Sequence, residues 1–228
     1  MSSNFHADGT LFIVSGPSGA GKTTLIERVR SQLKPIGLDL YFSVSHTTRK
    51  PRMGEAEGRS YHFVTAEWFQ GMVQRGEFIE HAFVHEQRYG TSRKEVLTRL
   101  QHGEDVILDI DYQGARQIAQ DRELHERSLN VFIFPPSLDI LEQRLRDRGL
   151  NSEDEIETRL RKAIDEIDAG KEFYNYVIIN DDLEVAAECL KATIISRKLQ
   201  TKTALEAIHR MAERLREEEQ NGRTAGRH

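Results

Sequence analysis

Residues 16–23 read Gly16-Pro17-Ser18-Gly19-Ala20-Gly21-Lys22-Thr23, and this stretch decides the fold. The pattern G-x-x-x-x-G-K-T is typical of a phosphate-binding loop, whose glycines let the backbone turn tightly and bring N–H groups close to phosphates. Lys22 supplies a positive charge for the β- and γ-phosphates, and the Thr23 hydroxyl can reach Mg²⁺. The loop therefore predicts binding of a nucleoside triphosphate.

The residues on both sides of the loop have the right character for this prediction. A β-rich run from Thr10 to Ser15 precedes it, and a helical run from Lys22 to about Leu33 follows, so the helix dipole would point at the phosphates. Further strands are predicted at 38–45, 60–64, 78–84, 106–111, 129–134 and 176–180, with helical patterns between most of them. This alternation predicts an α/β protein with a doubly wound parallel sheet.

Composition limits the class of protein. The 228 residues suffice for one α/β domain with an inserted lobe, and a net charge of −5 argues against a general nucleic-acid binder. A single cysteine, Cys189, excludes an internal disulfide. No apolar run approaches the about 20 residues of a membrane span, and the N-terminus does not resemble a signal peptide. We expect a cytoplasmic protein with neither a membrane nor a nucleic acid as partner.

A basic loop follows the second predicted strand. Arg49, Lys50 and Arg52 fall within four positions, with Pro51 and Gly54 as helix and strand breakers. On its own this loop would be interpreted as a solvated surface segment. Downstream of a phosphate-binding loop it becomes a candidate second phosphate site, because arginine forks bind phosphate oxygens in pairs.

Two carboxylates end the apolar strand at 106–111. Ligands of parallel α/β sheets lie at the carboxyl ends of the strands, so Asp109 and Asp111 are candidates to organise Mg²⁺ directly or through water. The alternative is a pair of ordinary turn residues.

Arginines also mark a predicted helical hairpin at 137–170. Arg144 and Arg148 lie four residues apart, and Arg159 lies off the apolar stripe of the second helix. That stripe consists of Ile156, Leu160, Ile164 and Ile167. The arginines are either surface charges or parts of a lid that closes over a triphosphate and excludes water.

A set of motifs in this order resembles the guanylate kinase family, over about residues 10–197. Besides 16–23, these are SVSHTTRKPR (43–52), GExxGxxY (54–61), FIE (78–80), YGT (89–91), ILDIDxQG (107–114), FIFPPS (132–137) and RLRDRG (144–149). Thr91 and His46 stand where other members often have serine. The resemblance implies a P-loop α/β fold with a small mixed β-rich GMP-binding lobe and a helical lid.

The resemblance also assigns the GMP site. It implies that the GMP phosphate is bound by Arg49, Arg52, Tyr61 and Tyr89, and the guanine by Ser45, Glu80 and Thr91, and that Asp109 and Asp111 also bind GMP. The chemistry agrees, because one carboxylate can accept both the N1–H and N2–H of guanine, and O6 needs a hydroxyl donor. Adenine cannot make this pair and would leave the carboxylate unpaired.

The implied reaction transfers a phosphoryl group from ATP to GMP or dGMP, with Mg²⁺ as cofactor. Catalytic roles fall to Lys22, Arg49, Arg148 and Arg159. ATP is expected to contact residues 16–23 and Arg144, and Mg²⁺ to lie near Thr23 and Asp109. Two alternatives remain: a silent guanylate-kinase-like binding module, which the intact Lys22 and Thr23 disfavour, and a related small-molecule phosphate kinase.

The expected domain boundaries follow the motifs. Residues 1–40, 92–136 and 171–197 would form the P-loop core, 41–91 the GMP-binding lobe, and 137–170 the lid region. Residues 198–228 would form a helical extension and a disordered tail. The extension carries an apolar stripe that would pack either on the body of the same chain or on a second subunit. Packing on a second subunit would make the protein a homo-oligomer. The stripe consists of Leu205, Ile208, Met211 and Leu215.

Overall fold

The computed structural model describes residues 9–84, 86–147, 153–170 and 173–200, with residues 209, 212, 213 and 216. Its strands are β1 (Leu11–Ser15), β2 (Leu40–Phe42), β3 (His46–Thr47), β4 (His62–Phe63), β5 (Phe78–Val84), β6 (Gln87–Ser92), β7 (Asp105–Asp109), β8 (Ser128–Phe134) and β9 (Tyr176–Ile179). Its helices are α1 (Lys22–Leu33), α2 (Ala66–Gln74), α3 (Arg93–Gln101), α4 (Tyr112–Gln120), α5 (Arg122–His125), α6 (Leu138–Asp147), α7 (Glu153–Gly170) and α8 (Leu183–Lys198).

The larger sheet is parallel throughout, with the strand order β2-β7-β1-β8-β9. Its central strand β1 is buried on both faces. Phe12 and Val14 pack in one cluster with apolar residues of α1 and α8, whereas Leu11 and Ile13 pack in another with residues of α3 and α4. This two-sided burial explains the unbroken apolar run of β1 and confirms the predicted doubly wound sheet.

A smaller mixed sheet, with the order β4-β3-β6-β5, lies between α1 and α3 in the chain. Strands β3 and β4 are parallel, and β6 pairs antiparallel with both β3 and β5. Helix α2 packs Phe69 and Met72 against Phe78 of β5. The Trp68 N–H donates to Thr65 Oγ1 at 3.2 Å, so Thr65 caps the amino end of this helix.

Several details of the sequence prediction are wrong. The strand expected at 38–45 is divided between the sheets, because β2 ends at Phe42 and β3 starts at His46. Strand β9 is not a core strand but the edge of the parallel sheet, and Val177 is 63% exposed. Ile164 does not face inward: it is 45% exposed, whereas Ala163 is fully buried because α7 packs on α6 along a narrow stripe.

Helices α4 and α5 were not predicted. Both helices are short, and α4 buries only two apolar side chains, Ala115 and Ile118, so its apolar pattern is weak. Aspartates begin both: the Gly114 N–H donates to Asp111 Oδ1 at 3.0 Å, and Asp121 Oδ1 accepts from Glu123 and Leu124. Asp111 is therefore the N-cap of α4 rather than the last residue of β7.

Some sequence predictions lie outside the described residues. These concern Arg148, the turn at 149–151 and the apolar positions 205, 208, 211 and 215. No helix in the described ranges combines the length and apolar character that crossing a membrane requires.

Candidate active site

The phosphate-binding loop joins β1 to α1 at the carboxyl edge of the parallel sheet. Gly16 has φ 141°, and a Cβ there would lie 2.1 Å from the carbonyl oxygen of Ile133, so only glycine fits. Gly21, at φ 85°, is the N-cap of α1 and provides no side-chain cap. The first N–H groups of α1 are therefore available to an anion, at the end of the helix where the dipole favours negative charge.

Lys22 lies against the loop it follows. Its Nζ donates to the carbonyl of Gly16 at 2.7 Å and to that of Pro17 at 3.4 Å, and lies 3.7 Å from Asp109 Oδ1. The side chains of Lys22 and Asp109 are only 14% and 17% exposed. The ammonium group is thus held at the mouth of the loop by backbone oxygens and one carboxylate.

Thr23 and Asp109 form an oxygen pair beside the lysine. The Thr23 hydroxyl donates to Asp109 Oδ2 at 2.6 Å. A hydroxyl and a carboxylate are hard oxygen donors, the ligand class that Mg²⁺ prefers. Among the described residues, no group of three or more His, Cys, Asp or Glu side chains is placed to hold a metal. The pair therefore fits an ion whose other ligands are nucleotide phosphates and water.

Arg144 and Asn180 meet behind the loop. Arg144 Nη2 donates to the backbone carbonyl of Asn180 at 3.0 Å, and Asn180 Nδ2 donates to the carbonyl of Ala20 at 2.7 Å. Asn180 follows β9, the neighbour of β8, so the parallel sheet carries it to the same edge as the loop. The predicted ATP-side arginine is thereby linked to the phosphate-binding loop.

Arg159 reaches the loop from α7. Its Nη1 donates to Ser18 Oγ at 2.7 Å across 141 residues of sequence. The structure thus brings together Lys22, Arg144 and Arg159 around residues 16–23, whereas Arg148 lies outside the described residues.

The three residues predicted to bind guanine lie together in the smaller sheet. Thr91 Oγ1 donates to Glu80 Oε1 at 2.6 Å, and the hydroxyls of Ser45 and Thr91 are 3.3 Å apart. Glu80 is 3% exposed, and burial raises its pKa to about 7, while the Thr91 hydrogen bond opposes the shift. A Cβ on Gly114 would lie 2.4 Å from Glu80 Oε2, so the glycine in α4 makes room for this carboxyl.

Three of the residues predicted to bind the second phosphate, Arg49, Tyr61 and Tyr89, lie together, whereas the Arg52 side chain is exposed. The Arg49 guanidinium donates through Nη1 and Nη2 to Glu55 at 2.9 and 2.7 Å, and lies 5.4 Å from the ring centre of Tyr61. Tyr61 and Tyr89 are in edge contact, with ring centres 5.8 Å apart. Arg49 holds the pKa of Glu55 below its usual value. Glu55 also accepts from the Arg52 backbone N–H at 2.7 Å, and so orders the whole basic loop.

Two further carboxyl groups, those of Asp111 and Glu166, interact electrostatically with Lys22. Burial raises the pKa of Asp111, and the charge of Lys22 acts in the opposite direction. The charge of Asp111 in turn contributes to the raised pKa of Glu80, so Asp111 is electrostatically coupled to both Lys22 and Glu80. Burial also raises the pKa of Glu166, on α7, to about 7, again opposed by Lys22.

Comparison with known proteins shows which family the chain belongs to. The guanylate kinase family model matches residues 8–197. The chain is 44% identical to a guanylate kinase of Desulfotalea psychrophila, across 85% of this chain and 92% of that one. The chain belongs to the guanylate kinase family. A guanylate kinase of Nitrosococcus oceani is 46% identical, across 84% of this chain and 90% of its own length.

A solved guanylate kinase structure, from Anaplasma phagocytophilum, agrees with the fold. It superposes with a TM-score of 0.69 at 32% identity, covering 86% of this chain and 89% of that one. The resemblance and the P-loop α/β fold predicted from the motifs are thus confirmed, and the chain is a kinase of the guanylate kinase family.

Sequence reasoning did not single out three residues that interact with the predicted site residues. Asn180 ended a predicted strand, and only the position of that strand at the sheet edge could have indicated its role. Glu55 belongs to a quoted motif, and its spacing from Arg49 is compatible with an ion pair. Glu166 is one acid among many in α7, and nothing in the sequence separates it from its exposed neighbours.

Proposed function

We propose that this guanylate kinase transfers the γ-phosphoryl group of ATP to GMP, giving ADP and GDP. The observation that carries the proposal is the group of Glu80, Thr91 and Ser45: the buried Glu80 accepts from the buried Thr91, and the half-buried Ser45 hydroxyl lies 3.3 Å from that of Thr91. Such a group suits a base with two adjacent N–H donors and one acceptor, and guanine has this pattern.

Each hydroxyl has a separate task in this scheme. Because Thr91 already donates to Glu80, the Ser45 hydroxyl is the donor for guanine O6. Arg49, with Tyr61 and Tyr89, would hold the GMP phosphate, and Glu55 orients the guanidinium for it. Residues 41–91 would then be the GMP-binding lobe.

Transfer itself needs no general base, because a GMP phosphate oxygen is already ionised at neutral pH. Positioning and charge stabilisation remain as the contributions of the protein. Lys22 would follow the γ-phosphate, and Arg159, beside Ser18, would neutralise charge from the lid region at 137–170, with Arg148 in the same role. Arg144 would support ATP. Thr23 and Asp109 would hold Mg²⁺, which supplies further neutralising charge when bound with ATP.

A substrate panel tests the function. ADP release would be measured with ATP, Mg²⁺ and each of GMP, dGMP, AMP, CMP and UMP. We expect turnover with GMP and dGMP, and a kcat/KM for AMP lower by about 10³-fold or more, because AMP leaves the buried Glu80 unpaired. Binding of GMP without any ADP release would contradict the kinase assignment, and equal rates with AMP would contradict the role of Glu80.

The KM for GMP is expected to depend on pH through Glu80. Its pKa is about 7 in the nucleotide-free protein, and the guanine N–H groups bind only the ionised carboxylate as a double acceptor. Lowering the pH from 8 to 6 should therefore raise the KM for GMP about tenfold, as the ionised fraction falls. A rise of the same size in the Glu80→Gln variant would place the titration on the GMP phosphate and contradict the prediction.

A further inference from the structure

Asn180 contacts three separate parts of the ATP side. It is 5% exposed, and its backbone N–H donates to the carbonyl of Phe134 at 2.7 Å, which continues the pairing of β9 with β8. Its backbone carbonyl accepts from Arg144 and its side-chain amide donates to Ala20, at 3.0 and 2.7 Å. One buried residue therefore joins the sheet edge, helix α6 and the phosphate-binding loop.

The side chain also shapes the loop sterically. A Cβ on Gly21 would lie 2.6 Å from Asn180 Nδ2, so the amide fills the space where a side chain at this position would go. Ala20, whose carbonyl the amide binds, is itself fully buried, and its N–H donates to the Pro17 carbonyl at 3.1 Å. The peptide units just before Lys22 are thus held from both sides.

We infer that Asn180 is a positioning residue for ATP, which fixes the peptide of Ala20 and anchors Arg144 at the same point. This rests on the proposed phosphoryl transfer from ATP. Fixing that peptide aims the next backbone N–H groups at the phosphates, and preorganised donors are worth most where water is excluded. Because Arg144 is held by the backbone of Asn180, loss of the side chain disturbs both contacts through one segment.

Asn180→Asp tests the inference with almost no change of shape. It replaces the amide donor with an oxygen that faces the Ala20 carbonyl, so we expect KM for ATP to rise on the order of 10- to 100-fold. The dissociation constant of ATP, measured by calorimetry, should rise in parallel. KM for GMP should stay within about twofold, because the guanine cluster lies in the other sheet.

Asn175 offers a matched control, because it lies immediately before β9, whereas Asn180 lies immediately after it. Its Oδ1 accepts from the Asn130 N–H at 2.8 Å, a bond that Asn175→Asp keeps while adding the same charge. This variant should bind ATP like the parent. Asn180→Ser, which is neutral and keeps a shorter donor, should show a smaller rise in KM for ATP, and it substitutes for Asn180→Asp if that variant does not fold.

The outcomes separate this inference from the proposed function. Wild-type turnover with GMP tests the function alone. An unchanged KM for ATP in both Asn180 variants would overturn the inference while leaving the function intact. So would an equal rise in KM for ATP and for GMP accompanied by a lower melting temperature, because that pattern indicates a general loss of structure.

Discussion

Replacing Lys22 by alanine is expected to lower kcat by about 10³-fold, which corresponds to about 4 kcal/mol of transition-state stabilisation. The ammonium group is held by two carbonyls and lies 3.7 Å from Asp109, so it is ready to meet charge that develops on the transferred phosphoryl group. Alanine removes that charge while the glycines of the loop remain. The measurement is kcat for ADP release with saturating ATP and GMP.

GMP binding should survive this change. The dissociation constant of GMP, measured by calorimetry without ATP, should change less than about threefold, because the guanine and phosphate clusters lie in the smaller sheet. Lys34→Ala, an exposed lysine just after α1, is a control that removes the same charge away from the loop. A Lys22→Ala variant with near-normal kcat would refute a catalytic role for this lysine.

Glu80→Gln is expected to abolish the preference for guanine. A glutamine presents one acceptor and one donor where guanine offers two donors, so a buried N–H would face another N–H. The kcat/KM for GMP should fall about 10³-fold, most of it through KM, and the ratio of GMP to AMP should fall with it. Steady-state rates with both nucleotides provide the measurement.

Stability should separate this effect from misfolding. Burial raises the pKa of Glu80 to about 7, so the folded protein binds this proton more tightly than the unfolded chain does. The carboxyl therefore destabilises the fold increasingly as pH rises from its unfolded pKa toward 7. Glu80→Gln should melt at the same or a higher temperature at pH 8, since Thr91 can still donate to the amide oxygen.

Asp105→Asn is the matched control for Glu80→Gln. Asp105 is also a buried carboxylate, 7% exposed, but it lies at the amino end of β7 and accepts from the Thr10 N–H. The kcat/KM for GMP should be unaffected by this change. If Glu80→Gln retained full discrimination between GMP and AMP, the role of Glu80 in reading guanine would be wrong.

Local patterns carried much of the fold prediction. The apolar run of β1 and the glycines before Lys22 depend on neighbours in the chain, and the structure confirms the strand and the helix predicted on either side of the loop. Helix α4 escaped notice for the opposite reason. Gly114 has a low helix propensity, so the local sequence does not indicate a helix there. The space that its missing side chain leaves is filled by Glu80, which belongs to β5 of the smaller sheet.

The sequence by itself determined the parallel α/β class and the family, and it predicted the residues that are proposed to contact guanine and phosphate. These depend on residue type and short-range order, which the chain carries directly. Only the tertiary structure decided that Asn180 reaches Ala20, that Glu55 occupies the Arg49 fork, and that Asp111 interacts electrostatically with both Lys22 and Glu80. Such contacts arise where strands and helices distant in sequence end at one edge of a sheet, and no local pattern encodes that meeting.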